Sequence, residues 1–145
     1  MITSYNIEIS MRMFLIQKYG LPVVLRKIGW RVPDTKPFYT VNSPTTNHLN
    51  LTKNKELVRG IVLLEIGCFA DSIRELNELQ TNVKQDILYE TIPLLDSEGN
   101  KVGSFSFTEI VGDTEFLDDT MEVHNETIRN RRYIETRAEI AYVKQ

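Results

Sequence analysis

The sequence predicts an α+β fold: one domain with a mostly antiparallel sheet of about four strands, packed by an N-terminal helix and a central amphipathic helix. Three observations carry this. Leu57–Phe69 is rich in β-branched and bulky apolar residues, with Val62, Leu64, Ile66 and Cys68 at period two. At Ser72 the period changes, and Ile73, Leu76, Leu79 or Gln80, Val83 and Ile87 recur at three and four, giving a helix with one apolar stripe. Tyr133–Val143 alternates again, with Ile134, Ala138, Ile140 and Tyr142 on one side and Glu135, Arg137 and Glu139 on the other. About four antiparallel strands with two helices make an α+β domain.

The elements follow in order. Tyr5–Tyr19 fits a helix with Ile7, Met11 and Phe14 on one face and Leu15 beside them; Gly20 suits the position just past its end, and Pro22 stops it. Val23–Ile28 fits either a further turn or a strand. Pro33 and Pro37 break regular structure around Trp30, which is expected in the core. Phe38–Val41 has strong β propensity. Asn42–Glu56 is polar and reads as a long hairpin loop between two strands. Leu57–Phe69 also has Ile61 and Leu63 on its second face, which predicts an inner strand covered on both sides. Ser72 with Glu75 three residues later forms a capping box. Ile92–Leu95 is a short strand or extended segment that Pro93 keeps at an edge. Asp96–Lys101 is turn chemistry. Ser104–Val111 alternates, with Phe105, Phe107 and Val111 on one side.

The chain has 145 residues, enough for one core, so residues 1–145 are taken as one domain with long loops at 42–56 and 112–132. The net charge of −3 weighs against a nucleic acid as main partner. The single cysteine excludes an internal disulfide, and Cys68, on an apolar strand face, is expected to be buried and inert. The N-terminus lacks the basic-then-apolar pattern of a secretory leader, and Glu65 splits the longest apolar run. A cytosolic product with no membrane partner is expected.

Candidate chemistry concentrates near the C-terminal third. From Glu109 through Glu126 there are seven acids and no Lys or Arg. Asp113, Glu115, Asp118, Asp119 and Glu122 do not match the spacing of a calcium loop, which needs a glycine at its tight turn and a closing bidentate Glu. The segment reads instead as a solvated or partner-facing surface, with Phe116, Leu117, Met121 and Val123 interleaved for contact in an assembled state. Arg129, Arg131 and Arg132 follow, with only Tyr133 at hand for stacking. They are expected to pair with the preceding acids or with those of a neighbouring subunit. His48 and His124 have no cysteine or spaced partner to make a zinc site. No nucleophile elbow, phosphate loop or dinucleotide fingerprint is present. Neither catalysis nor a cofactor or metal is expected.

The order of elements resembles the tail terminator (tail completion) proteins of long-tailed bacteriophages. The resemblance rests on the N-terminal helix, Ile28-Gly29-Trp30, a Pro-containing turn, Phe38-Tyr39-Thr40-Val41, a polar loop, Arg59-Gly60-Ile61-Val62-Leu63-Leu64-Glu65-Ile66, and Ala70-Asp71-Ser72 opening an amphipathic helix. It spans roughly Tyr5 to Leu95; the acidic segment lies outside the common pattern. The resemblance implies a non-enzymatic virion protein at the head-proximal end of the tail. It implies a homo-oligomeric ring, typically a hexamer, that binds the last ring of the tail tube protein, stops its polymerisation and meets the head-tail connector or head completion protein. DNA only passes through its channel. Closed rings need two different complementary patches per subunit. Asn47, His48, Lys53 and Lys55 in the 42–56 loop, and Asp113, Glu115, Phe116, Asp118, Asp119, Arg129, Arg131 and Arg132, are the expected contact residues. A small nucleic-acid-binding regulator using Arg129–Arg132, or another head-tail joining subunit, is the alternative.

Overall fold

The computed structural model describes residues 3–25, 33, 37–51, 57–115 and 130–143; of strand positions 44–51, 57, 58, 113–115, 130 and 143 it describes the backbone only. Trp30 and the interleaved Phe116, Leu117, Met121 and Val123 lie outside the described residues.

Helix α1 (Ser4–Tyr19) opens on Thr3, whose backbone N–H donates to Asn6 Oδ1 at 2.9 Å. It closes on Gly20, whose N–H reaches the Ile16 carbonyl at 2.8 Å; at φ 68° this is a left-handed position that favours glycine. Ile7, Met11 and Leu15 are fully buried. Phe14 is only partly buried and carries Lys18 Nζ at 5.7 Å from its ring centroid. The undecided stretch after Pro22 forms strand β1 (Val23–Leu25).

Helix α2 (Ile73–Ile87) is capped by Ser72, whose hydroxyl accepts from the Glu75 N–H at 3.1 Å. Glu75 reaches back one residue further than expected and accepts from the Asp71 N–H at 3.2 Å. Leu76, Leu79, Gln80, Val83 and Ile87 are buried. Ile73 is 50% exposed, because it opens the helix where β3 has already ended. Ser72→Ala is expected to lower stability by about 1 kcal/mol, read from the urea midpoint at unchanged slope.

The remaining strands are β2 (Phe38–Leu51), β3 (Leu57–Ala70), β4 (Thr91–Leu95), β5 (Lys101–Glu115) and β6 (Asn130–Val143). Among the described residues they form one sheet in the order β1-β2-β3-β6-β5-β4, with β1 parallel to β2 and every other pairing antiparallel. The α+β class is as the sequence predicts, but the strands number six rather than about four, and the sheet is mixed. The two extra strands are the short ones at the two edges. Pro93 sits exposed on edge strand β4, where no ladder N–H is needed.

Both helices contribute to one core with the same sheet face. Val62, Leu64, Ile66 and Cys68 are buried there, while Ile61, Leu63 and Glu65 on the other face are only half-buried. The expectation that β3 is covered on both sides is therefore corrected: with both helices on one face, the second face of its middle stays partly open. The ends of the helices are tied together. Lys18 pairs with Glu90 at 2.7 Å, and the Tyr19 hydroxyl donates to Asp86 Oδ2 at 2.7 Å. Burial and this carboxylate push the Tyr19 phenol pKa well above its ordinary range.

Two departures reshape the chain's outer parts. Residues 42–51, expected in a loop, continue β2, and 112–115 and 130–132 continue β5 and β6; the polar residues there serve strand edges and hairpin ends rather than loops. Val111 is 51% exposed instead of sharing the face of Phe105 and Phe107. A bulge between Phe107 and Glu109 inserts one residue and reverses the alternation, so Ile110 packs on the core instead.

Candidate functional site

The helix-free face of β3, β6 and β5 presents charge in cross-strand rows. Ile61, Glu139 and Ser106 share a row, as do Leu63, Arg137 and Glu109. Arg137 pairs with Glu109 at 2.6 Å, and both are about half exposed, so the pair contributes at most about 1 kcal/mol. Thr108 donates to the Arg137 carbonyl at 3.1 Å. One row further, Glu65 lies directly opposite Glu135, a like-charge placement that disfavours the isolated sheet. At the other end an open cleft of about 430 Å³ is lined by Arg59, Ile61, Ser104, Ser106 and Glu139.

Among the described residues the cleft offers two serine hydroxyls, one guanidinium and one carboxylate. Cys68 is buried on the opposite, helix-covered face. Among the described residues no three His, Cys, Asp or Glu side chains are grouped to hold a metal ion. Nor is any described helix long and apolar enough to cross a membrane.

The expected contact residues divide sharply. Asn47 and His48 lie in β2, paired with Ile61 and Gly60, not in a loop. Asp113 and Glu115 lie in β5, paired with Ile134 and Arg132. Lys53, Lys55, Phe116, Asp118, Asp119 and Arg129 lie outside the described residues. Arg131 and Arg132 serve the protomer itself. Arg131 is only 4% exposed, on the face opposite the helices, in register with Phe69. Arg132 turns to the helix side, where its guanidinium donates to Asn77 Oδ1 and, at 3.1 Å, to Gln80 Oε1 of α2. From the sequence the arginines are expected to pair with the preceding acids or with those of a neighbouring subunit; of those acids, Glu115 lies opposite Arg132 in register. Reversing either charge is expected to destabilise the monomer.

The sequence reading missed the sheet edges. Strand β1 covers β2 only at Tyr39–Val41, and β4 covers β5 only from Lys101 to Ser106. Among the described residues no strand pairs with the outer edge of β2 over 42–51 or of β5 over 107–115. These open halves lie at diagonally opposite corners of the sheet, since residue 51 is level with Val58 while Glu115 is level, through Arg132, with Cys68. Long open edges are templates for another strand and are normally blunted or covered. Pro93 marks the β4 edge in the sequence, but the extent of each open half depends on how far the short strands β1 and β4 reach, which no local pattern shows.

No family model matches the chain, and no curated protein matches it. One solved structure is similar with a TM-score of 0.46 at 8% identity, over 98% of this chain and 93% of that one. That degree of likeness bears on neither family nor function.

Proposed function

We propose that the chain is a structural assembly subunit, a ring-forming tail terminator of a long-tailed bacteriophage, located in the virion at the head-proximal end of the tail. In this reading it caps the tail tube, stops tube growth and offers its other surface to the head connector, with no enzymatic step. The observation that supports it is the pair of open edge halves, on β2 and β5, at opposite corners of one sheet. A subunit with two different, unlike edges makes head-to-tail contacts, and such contacts close into a ring or extend into a filament. The charged face adds support. Its acids, Glu65, Glu109, Glu135 and Glu139, outnumber Arg59 and Arg137, so DNA would slide past it rather than adhere.

The alternative of a nucleic-acid regulator built on Arg129–Arg132 loses support. Arg131 is buried and Arg132 is committed to α2, so neither is placed to meet phosphates.

Electron microscopy of the purified protein, alone and mixed with tail tubes, tests the proposal. Light scattering should give a whole multiple of 16.8 kDa, and the particles should be rings that seat on tube ends. A 16.8 kDa monomer that ignores tubes would overturn it.

A further inference from the structure

Resting on the assembly reading, we infer that neighbouring copies join by strand pairing between the open half of β5 in one copy and the open half of β2 in the next. The two halves fit in direction. β5 runs opposite to β2 within the sheet, so copies sharing one orientation meet antiparallel. They also fit as a lap joint. β4 covers the end of β5 that carries Lys101–Ser106, and β1 covers the start of β2, so each short strand stops the joint at one end.

Bulges and a proline fix where pairing can run. Pro44 has no N–H to give, and β2 has register shifts between Asn42 and Thr45 and between His48 and Asn50. Its uninterrupted run is Thr45–His48. The corresponding run on β5 is Gly112–Glu115, beyond the shift between Ile110 and Gly112. Charge does not oppose the pairing. Glu109, Asp113 and Glu115 are the charged residues of 107–115, and residues 42–51 hold no acid.

Register then sets the stagger. Thr45–His48 is level with Leu63–Gly60 on β3, and Gly112–Glu115 is level, through β6, with Glu65–Cys68. Position 47 shares its face with Ile61, and positions 112 and 114 share that face through Glu135 and Tyr133, so Asn47 pairs with either Gly112 or Thr114. Those choices offset successive copies by about four or six residues, roughly 13 or 20 Å at ~3.3 Å per residue. Across the four strands β2, β3, β6 and β5, spaced ~4.8 Å, this corresponds to a strand tilt of about 35° or 46°. Closed barrels tilt their strands by ~35–45°, so the stagger that the joint imposes is one that a closing ring can absorb.

Cysteine cross-linking reads the joint directly, since Cys68 is fully buried in the protomer. The double variants Asn47→Cys/Gly112→Cys and Asn47→Cys/Thr114→Cys are oxidised and run on denaturing gels. One of them should give a ladder of multimers ending in a closed species. Asn47→Cys/Ser97→Cys, with its second thiol in the β4–β5 turn, should give none. Rings in the microscope with no ladder from either pair would overturn the joint while leaving the assembly reading intact. A monomer by light scattering, with no ladder, would overturn both. A ladder of equal strength from the Ser97 control would show random collision and also overturn the joint.

Discussion

Replacing Glu8 by alanine is expected to lower the unfolding free energy by about 2–3 kcal/mol, the cost of stranding a buried backbone donor that now has a side-chain acceptor. Glu8 is 1% exposed on the sheet-facing side of α1, and its Oε1 accepts from the Ser43 N–H at 2.9 Å. The need arises in β2. Between Asn42 and Thr45 the strand carries Ser43 and Pro44 against the single Leu64, so the ladder is broken there. The backbone N–H of Ser43 turns to the helix instead. On the far side of β3 the Thr136 hydroxyl donates to the Leu64 carbonyl at 2.9 Å. Glu8→Gln keeps an acceptor oxygen and should lose about half as much. Urea titration of wild type and both variants checks this. If Glu8→Ala came within about 0.5 kcal/mol of wild type, the usual range for a surface change, the carboxylate could not be holding the bulge.

Gly67→Ala should cost a comparable amount, about 2–3 kcal/mol, by overpacking. A Cβ at Gly67 would collide with Thr40 Oγ1 and lie 3.0 Å from Tyr133 Cε1 and 3.1 Å from Phe69 Cε1. The missing side chain leaves room for a buried aromatic group on the helix-free face. Phe38 stacks on Phe69 with centroids 4.6 Å apart, and Phe69 meets the Tyr133 ring edge-on at 6.0 Å. Removing the hydroxyl with Thr40→Ala should recover about 1 kcal/mol or more of the loss, a coupling that a double-mutant cycle measures. Simple additivity of the two substitutions would contradict this account.

Much of the scaffold was legible. The 3–4 spacing of Leu76, Leu79, Val83 and Ile87 and the alternation of Ile134, Ala138 and Ile140 each encode burial through one element's own geometry. What was illegible depends on partners distant in sequence. The phase of Val111 is set by a bulge against β6, and the burial of Arg131 follows from its register with Phe69. The strand character of 42–51 was hidden because polar residues near an open edge look like a loop. Glu8 left a trace that went unread. With Met11 and Leu15 it falls at helical spacing on the apolar face, where a carboxylate signals an obligation to some buried donor.

The strand order has a consequence for biosynthesis. β6, the last described strand in the chain, sits in the middle of the sheet, between β3 and β5. While β6 is still unmade or inside the ribosome, the nascent chain holds two separate hairpin-like halves, each with a bare apolar flank. They merge when the final strand slots between them and closes contacts such as Leu57 with Val143 that span most of the chain. Formation of the sheet is thus dominated by pairing distant in sequence and slow for the chain's size. Products cut short before β6 should be insoluble or rapidly degraded.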